Sequence, residues 1–340
     1  MEKKFIVGID VSKLVLDAVL IIKDENENGQ HIQVSNDPKG LSELIKWLKL
    51  FNDFDLSRSI FCMEHTGLYN YNLLSFLTQQ ECQIWLENPV QIKKSLGIQR
   101  GKNDKIDAKR IAEFALRNLD KAKLWKPMRE VVTRIKHLTA LRERLVESKK
   151  RLMVPVEEFM QCGDKTVARM LEKSMSHAIK GIEKDIELTE SQIKEVIDTD
   201  SELKRLFRLM NSVVGIGFVS AVNILIYTNE FKLFNDSRKF ACYCGIAPFE
   251  HSSGTSIRGK TRVSHMANKK MKTLLHLASL TAVRFDTELK VYYERKILEG
   301  KNKMSILNAV RNKLVQRIFA VVNRNYDYVK KNVEIGLVLS

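Results

Sequence analysis

The stretch Phe5-Ile-Val-Gly-Ile-Asp10 is a short apolar run that closes on an acid. A run of this length and composition predicts a buried strand, so Asp10 would lie at the edge of a sheet. Residues 14–22 and 31–34 are two further apolar runs, and Ser59-Ile-Phe-Cys-Met-Glu64 is another that ends in an acid. The sequence therefore predicts several strands early in the chain, two of which deliver a carboxylate to a sheet edge.

Helices are predicted between and after these strands. Residues 36–40 have turn chemistry, and Leu41, Leu44, Ile45 and Leu48 then mark one helical face. Residues 73–77 belong to the next helix and residues 83–87 to a fifth strand. Three strands, a helix, a strand, a helix, a strand and a final helix is the order of the ribonuclease H fold. We therefore expect an α/β domain of that fold over residues 1–126, with the first and fourth strands adjacent.

The final helix of this order carries two more acids. Asp104 and Asp107 lie in Asn103-Asp-Lys-Ile-Asp-Ala108, and residues three apart share a helical face. Acids also favour a helix N-terminus simply because they complement the helix dipole. The order Asp10, Glu64, Asp104 and Asp107 on this strand pattern instead predicts one cleft with all four carboxylates. Such a cleft suits phosphoryl transfer with two divalent cations, Mg²⁺ or Mn²⁺.

Composition points to a polyanionic partner. The 340 residues are 44% hydrophobic and 29% charged, with a formal net charge of +16. Residues 251–340 hold 18 Lys and Arg against 6 Asp and Glu, which favours nucleic acid over a merely solvated basic surface. The five scattered cysteines argue against a disulfide framework and against zinc. No apolar stretch is long enough to cross a bilayer and the start lacks a signal-peptide pattern, so we expect a cytoplasmic protein without membrane contact.

The middle of the chain predicts a pair of long helices over residues 127–204. One helix spans about residues 129–159, and Pro155 is expected to kink or end it. The second spans about residues 165–198, and its apolar residues step by three and four in a heptad stripe. Two such helices joined by a short break predict an antiparallel coiled-coil hairpin. The stripe could serve packing within the chain alone, but we favour oligomerisation.

The remaining residues, 205–340, predict a mostly α-helical domain with several phosphate-binding features. Residues 210–221 read as two helices around a tight Gly-Ile-Gly turn, a helix-hairpin-helix-like element whose backbone amides can hold a phosphate. Residues 249–264 read as a long polar loop, and residues 266–284 as a basic helix. The candidate nucleic-acid contacts of these three features are Gly215, Gly217, Arg258, Lys260, Arg262, Lys269, Lys270 and Lys272.

Taken together, these motifs resemble the DEDD transposases of the Piv-like insertion-sequence group, the bridge-RNA-guided recombinases. The N-terminal matches are residues 8–13 (Gly-Ile-Asp-Val-Ser-Lys), 63–67 (Met-Glu-His-Thr-Gly) and 103–108. The C-terminal matches are residues 214–217 (Val-Gly-Ile-Gly), 244–248 (Cys-Gly-Ile-Ala-Pro) and Ser253-Gly254 with the basic helix after it. The resemblance covers nearly the whole chain in the right order.

The resemblance implies more than the residues alone do. It implies a RuvC-like domain whose four acids are Asp10, Glu64, Asp104 and Asp107, and a nucleophilic serine, Ser253, with Ser252 as the adjacent alternative. It also implies a covalent phosphoserine intermediate, donor and target double-stranded DNA as substrates, and a structured non-coding guide RNA that selects them. Members of the family are thought to act as homotetramers, with the acids of one subunit meeting the serine of another.

Three other functions remain open from the sequence. A RuvC-like junction nuclease would use the same acids but water in place of a serine. A site-specific DNA invertase would share the catalytic parts without a guide RNA. A basic oligomeric nucleic-acid-binding protein would not need the acids at all.

Overall fold

The computed structural model describes residues 3–25, 29–95, 103–253, 257–263 and 267–330, with the backbone alone described for 250–253 and 257–262. Gly254 of the Ser-Gly motif, Gly101 beside the Asp104 segment and Met266 at the predicted start of the basic helix lie outside the described residues. The chain forms two compact units, Met1–Pro127 and Met128–Ser340. A further division at residue 204 stays a prediction.

The first unit is built on a mixed five-stranded sheet. Its strands are β1 (Phe5–Val11), β2 (Val15–Ile22), β3 (Gln30–Ser35), β4 (Ser59–Glu64) and β5 (Ile84–Glu87). They lie in the order β3-β2-β1-β4-β5. β2 is antiparallel to β1 and to β3, whereas β4 is parallel to β1 and to β5. The predicted adjacency of the first and fourth strands is confirmed.

Helices cover both faces of this sheet. They are α1 (Pro38–Leu48), α2 (Tyr71–Gln79), α3 (Pro89–Ser95) and α4 (Asp104–Arg117). α1 and α2 pack on the face formed by Phe5, Val7 and Ile9. α3 and α4 pack on the opposite face, where Ile6, Ile60 and Cys62 are buried. A strand alternates its side chains between faces, so Asp10 and Glu64 belong to the α4 face.

Gly8 allows α4 to lie directly on β1. A Cβ built at Gly8 would be 2.2 Å from the backbone nitrogen of Ala112 and 2.5 Å from the carbonyl oxygen of Ala108. No side chain fits there without moving the helix, because the obstructing atoms are backbone. This close approach places the first turn of α4 over the end of β1.

The substitution Gly8→Ala is expected to lower the free energy of unfolding by about 3 kcal/mol, the upper range for overpacking in a core. It should also weaken cation binding, because α4 must shift away from β1. Thermal unfolding with and without Mg²⁺ measures both effects. Gly181→Ala is the matched control, since that glycine lies in open space within a helix and should gain about 0.5–1 kcal/mol. Unchanged cation binding in Gly8→Ala would contradict this account of the packing.

The second unit is mostly helical. Its helices are α5 (Glu130–Gln161), α6 (Lys165–Thr199), α7 (Ser201–Asn211), α8 (Phe218–Thr228), α9 (Ser237–Tyr243), α10 (Lys269–Phe285), α11 (Thr287–Leu298) and α12 (Lys303–Arg324). One buried hydrophobic cluster contains residues from the six helices α7 through α12. It also includes residues from the first turns of α5 and the last turns of α6. None of the helices in the described part of the chain has both the length and the apolarity that a bilayer span requires.

The two long helices α5 and α6 pack against each other in opposite directions. Arg142 pairs with Glu190 and Lys149 with Glu183, each at 2.6 Å, so later residues of α5 meet earlier residues of α6. Pro155 does not end the first helix, because α5 continues to Gln161. The alternative that Pro155 kinks this helix stays a prediction. Packing beyond the proline, where Val156 is buried, offsets the lost backbone hydrogen bond.

Residues 249–264 are not the polar loop that the sequence predicts. They contain an antiparallel hairpin of β6 (Pro248–Ser253) and β7 (Ile257–Val263), with a register shift between Phe249 and His251. Cross-strand backbone hydrogen bonds stabilise such a hairpin even where the side chains are small and polar. Asn308 and Asn312 of α12 both donate to the carbonyl oxygen of Ile246, at 2.8 and 2.9 Å, and thereby anchor the chain just before β6.

A network of ion pairs connects the start of α5 with the end of α6 and with the loop after α8. Arg129, at the start of α5, pairs with Asp200 between α6 and α7 and with the buried Glu230 after α8. Glu230 follows Asn229 and precedes Phe231, and all three have positive φ angles of 46–64°. Arg129 holds the pKa of Asp200 below its usual value. The network fixes a loop whose backbone is otherwise strained.

Candidate metal centre and basic elements

Three of the four predicted acids come together in the first unit. Asp10 is the second-to-last residue of β1 and lies on the α4 face, and Asp104 and Asp107 lie in the first turn of α4. Each can offer a carboxylate oxygen such that all three oxygens lie within 4.8 Å of one another. Asp10 and Asp107 are half-buried, and Asp104 is exposed.

Glu64 lies beside this group, but it is not one of the three acids whose carboxylate oxygens lie within 4.8 Å of one another. It ends β4, whose parallel register with β1 pairs Ile9 with Met63, so Glu64 occupies the position next to Asp10. The pKa of Glu64 is raised above its usual value by burial and by the charge of Asp107. The four acids therefore share one electrostatic environment at the carboxyl end of two neighbouring strands.

Asp10 carries the clearest sign of crowding among the acids. Burial, followed by the charges of Asp104, Asp107 and Glu64, raises its pKa from 3.8 to about 6. Carboxylates that repel each other in this way are stabilised by a cation between them. Oxygen donors from carboxylates are the ligands that Mg²⁺ and Mn²⁺ prefer. The donor set thus fits a divalent cation.

Local sequence explains how α4 presents its two acids. Asn103 adopts an extended backbone, and its side chain accepts a hydrogen bond from the Lys105 amide at 3.0 Å, which starts the helix at Asp104. Asp104 and Asp107 then share a face one turn apart. Their position in the first turn also places both carboxylates at the positive end of the helix dipole.

Cation binding is expected to weaken at acid pH, because a proton on Asp10 competes with the metal. The pKa of Asp10 is raised to about 6, so the proton is retained up to that pH in the cation-free protein. Affinity for Mn²⁺ should fall about tenfold per pH unit below pH ~6. Electron paramagnetic resonance titration of Mn²⁺ between about pH 5 and about pH 7.5 checks this window. An affinity that does not change across the window would contradict the assignment of Asp10 as a ligand.

Sequence reasoning missed two charged neighbours of the site. Arg110 Nη1 lies 2.8 Å from Asp107 Oδ1, an i,i+3 pair that the helical spacing alone could have revealed. Glu87 ends β5 and pairs in register with Glu64, which makes it a third strand-end acid at this edge. Its carboxylate accepts from Trp85 Nε1 at 3.1 Å and from the Asn88 amide at 2.8 Å. Glu87 is therefore oriented by its neighbours, and Arg110 restrains Asp107.

The predicted nucleophile lies in the second unit, on the β6–β7 hairpin. Ser253 is the last residue of β6 and pairs in register with Ile257, whereas Ser252 pairs with Arg258. Arg258, Lys260 and Arg262 occupy alternate positions of β7. The register shift breaks this alternation, because Arg262 pairs with Phe249 and Arg258 with Ser252, three positions further along β6. Arg258 and Arg262 therefore belong to opposite faces of the hairpin.

The other predicted phosphate contacts differ in their surroundings. Lys269 is exposed in the first turn of α10, and Lys272 is partly exposed. Lys270 instead forms an ion pair with Glu143 and lies 5.6 Å from the Tyr227 ring centre, so the protein itself engages that ammonium group. Lys269 is more exposed than Lys272 and is therefore the more accessible of the two to a phosphate.

The glycines of the turn between α7 and α8 have distinct tasks. Gly215 has φ of +95°, and a Cβ there would be 2.5 Å from the Ala278 carbonyl oxygen, so it permits tight packing on α10. Gly217 is the exposed N-cap of α8 with open space around it. A phosphate could approach the amides at Gly217 but not the packed side of Gly215.

Comparison with known proteins matches both units to family models of transposases. Residues 7–161 match the DEDD transposase model of the IS110 type, and residues 207–294 match the model described as the transposase IS116/IS110/IS902 family. The first match contains all four acids, and the second contains the β6–β7 hairpin with Ser253. The chain is therefore a DNA transposase or recombinase.

Relatives of this chain agree with this class. The pilin gene-inverting protein of Moraxella bovis is 26% identical over 97% of this chain and 99% of its own length. The transposase for insertion sequence element IS1111A of Coxiella burnetii is 23% identical over 68% of this chain and 69% of its own. This protein belongs to the IS110 family of transposases.

Proposed function

We propose that the protein is an RNA-guided DNA transposase that cuts and exchanges strands through a covalent phosphoserine, with Asp10, Glu64, Asp104 and Asp107 as its metal ligands. The observation that carries the catalytic part is the convergence of three acids from distant positions within 4.8 Å. Carboxylates packed so closely are stable in their ionised form only with a counter-charge. The strand order β3-β2-β1-β4-β5 supports a ribonuclease H, RuvC-like domain as their scaffold.

The chain's own residues define the roles within this proposal. Asp10 and Glu64 come from rigid neighbouring strands, and Asp104 and Asp107 from a helix that Gly8 lets approach closely. Bound there, Mg²⁺ or Mn²⁺, most simply two ions, would neutralise charge on the phosphate and on the leaving oxygen. Arg110 holds Asp107 in place through its ion pair.

The serine step follows from the family's Ser-Gly motif. The Ser253 hydroxyl attacks a DNA phosphorus, its Oγ forms a bond to phosphorus, and the bond to the 3′-oxygen breaks. The departing oxygen takes up a proton and becomes a free 3′-hydroxyl. The energy of the broken linkage is kept in the phosphoserine, so a 3′-hydroxyl of the second duplex can reverse the reaction and join the strands.

Partners in this proposal are donor and target double-stranded DNA, a structured non-coding guide RNA, and further copies of the chain in a tetramer. The three basic residues of β7 and the exposed Lys269 support nucleic-acid contact. A coiled coil built on α5 and α6 is the proposed contact between copies. Leu141, Met170 and Leu188 are between 46% and 59% exposed there, which supports a surface that a second copy covers.

Site-specific DNA inversion without a guide RNA is the second candidate function. One observation favours it: the pilin gene-inverting proteins of Moraxella bovis and Moraxella lacunata match over 97% of this chain. The acids and the serine would act in the same way in both functions. Only the element that selects the DNA differs.

The two candidates are separated by expressing the gene with its flanking DNA and sequencing any RNA that co-purifies with the protein. We expect one structured RNA encoded beside the gene, and loss of recombination after ribonuclease treatment. Adding back the transcribed RNA should restore activity. Recombination that survives ribonuclease, with no enriched RNA, would instead assign the protein as an invertase of the simpler kind.

A further inference from the structure

Four large apolar or aromatic side chains are exposed at the edge of the sheet that carries the acids. They are Leu14 at 73%, Leu68 at 72%, Tyr71 at 62% and Tyr69 at 47% exposure. Leu14 follows β1, four residues after Asp10, and the other three follow β4, within seven residues of Glu64. We call these four residues the apolar rim. Isolated exposed hydrophobic residues need no explanation, but a group of four beside a polar site does.

The rim is held in place by one buried residue, Asn36. The Asn36 amide donates to the Leu14 carbonyl oxygen at 2.8 Å. Its side-chain Nδ2 donates to the carbonyl oxygens of Ser12 and Tyr69, at 2.9 and 3.0 Å. The loops after β1 and β4 are thereby tied together through the residue that follows β3. Leu14 and Tyr69 are therefore exposed in loops whose backbones are fixed by hydrogen bonds.

A second buried asparagine ties the same loop to the catalytic strand. Asn70 Nδ2 donates to the Glu64 carbonyl oxygen at 3.0 Å, and Asn70 Oδ1 accepts from the Thr66 amide at 2.6 Å and the Thr66 hydroxyl at 2.8 Å. The backbone that positions Glu64 therefore also positions Leu68, Tyr69 and Tyr71. The rim residues that follow β4 are therefore tied by hydrogen bonds to the strand that carries Glu64.

We propose that the apolar rim binds unstacked nucleobases of the DNA strand whose phosphate lies at the acid cluster. This inference rests on the proposed catalytic role of the acids. A DNA strand bound at the acid cluster places its phosphates near the cation-binding carboxylates. Its bases then face the protein surface next to those carboxylates. Carboxylates offer bases no stacking surface, whereas tyrosine rings do, at about 1–3 kcal/mol per base. The leucine side chains add apolar contact beside them. Exposed Lys13, beside Leu14, supplies the cation that a neighbouring phosphate needs.

The rim suits a strand that has left its duplex. Bases in a duplex are already stacked, so only unpaired bases gain from these side chains. Strand exchange requires such unpaired bases on either side of the broken linkage. The rim would hold the strand in register while its end is free, and it would do so without reading sequence, because every base has a π face.

The test compares the binding of two single-stranded oligodeoxynucleotides of equal length, oligothymidine and its abasic counterpart. Full-length protein should bind the base-bearing strand at least about tenfold more tightly, as expected for one or more stacked bases. The double variant Tyr69→Ala/Tyr71→Ala should lose this ratio while keeping its affinity for the abasic strand. A strand carrying 2-aminopurine should show fluorescence quenching with the wild type and little with the variant.

Leu50→Ala is the matched control. Leu50 is 80% exposed in the same unit, but it follows α1, which returns the chain to the opposite edge of the sheet before β4 begins. This variant should keep the full preference for bases. Circular dichroism and thermal unfolding verify that each variant is folded.

Two results would overturn the proposal. Equal affinity of the wild type for both strands would show that phosphates alone are bound. A double variant that keeps the base preference but loses self-association in sedimentation would assign the rim to contact between copies. Failure of the catalytic proposal is recognised separately, because Asp10→Asn should lose cation binding yet keep the base preference.

Discussion

Replacing Asp10 by asparagine is expected to abolish DNA strand cleavage and, at the same time, to make the cation-free protein more stable. The loss of cleavage should be about a thousandfold or more, since one ligand of a catalytic cation contributes several kcal/mol to the transition state. The gain in stability should be about 1 kcal/mol near neutral pH, or about 2 °C in the midpoint of thermal unfolding. Opposite changes of activity and stability are expected where like charges are crowded together for function.

The sign of the stability change follows from the pKa of Asp10. Burial and its acidic neighbours raise that pKa from 3.8 to about 6. The folded state therefore binds the proton more tightly than the unfolded state, and ionising Asp10 lowers the free energy of unfolding as pH rises from about 4 to about 6. The penalty is fully present above pH ~6. Asparagine removes the charge while keeping the shape, so the penalty disappears.

Asp17→Asn provides the matched control. Asp17 pairs with Asp10 in register on the neighbouring strand β2, but it is bonded to His31 Nε2 at 2.7 Å and to Gln33 Nε2 at 3.1 Å. It is not among the clustered acids, so its substitution should leave cation binding and cleavage intact and lower stability by about 1–3 kcal/mol. Cleavage assays, Mn²⁺ titration and thermal unfolding on both variants give the comparison. An Asp10→Asn protein that still cuts DNA would remove the acid cluster from the mechanism.

The first unit could be predicted closely because β1 and β4, which carry Asp10 and Glu64, are mostly apolar runs. β4 spans the predicted residues Ser59–Glu64, and β1 extends the predicted run by one residue to Val11. An acid at the end of a strand or at the start of a helix is visible in the local sequence. Together with the order of the elements, these local signals were enough to predict that the acids lie close to one another. Glu87 carried the same signal at the end of β5 and could have been included.

Features that depend on distant partners could not be predicted. Arg129 meets Asp200 and Glu230 across 71 and 101 residues of sequence, and no local pattern reveals such a network. The β6–β7 hairpin has small and basic residues without an apolar alternation, so it resembles a loop until its backbone pairing is known. α11 was missed although Asp286 offers an N-cap to the Leu289 amide at 3.0 Å, a signal that the sequence does contain.

Replacing Ser253 by alanine is expected to eliminate the covalent protein–DNA adduct and all strand exchange, with a loss of about a thousandfold or more relative to the wild type. DNA binding and Mn²⁺ binding should remain, since the acids belong to the other unit. The measurement is a denaturing gel that detects labelled DNA linked to the protein, run beside a recombination assay. A RuvC-like nuclease that uses water would keep cutting in the Ser253→Ala variant and would never form the adduct.

Ser252→Ala is the control that the hairpin itself offers. Ser252 and Ser253 occupy consecutive positions of β6, and consecutive positions of a strand belong to opposite faces. We therefore expect only one of the two residues to serve a given phosphate, so that one substitution removes nearly all of the adduct and the other leaves most of it. Ser252 pairs in register with basic Arg258, whereas Ser253 pairs with Ile257. If the adduct vanishes in Ser252→Ala and persists in Ser253→Ala, the nucleophile lies on the register of the basic residues, and the position taken from the Ser-Gly motif is wrong by one residue.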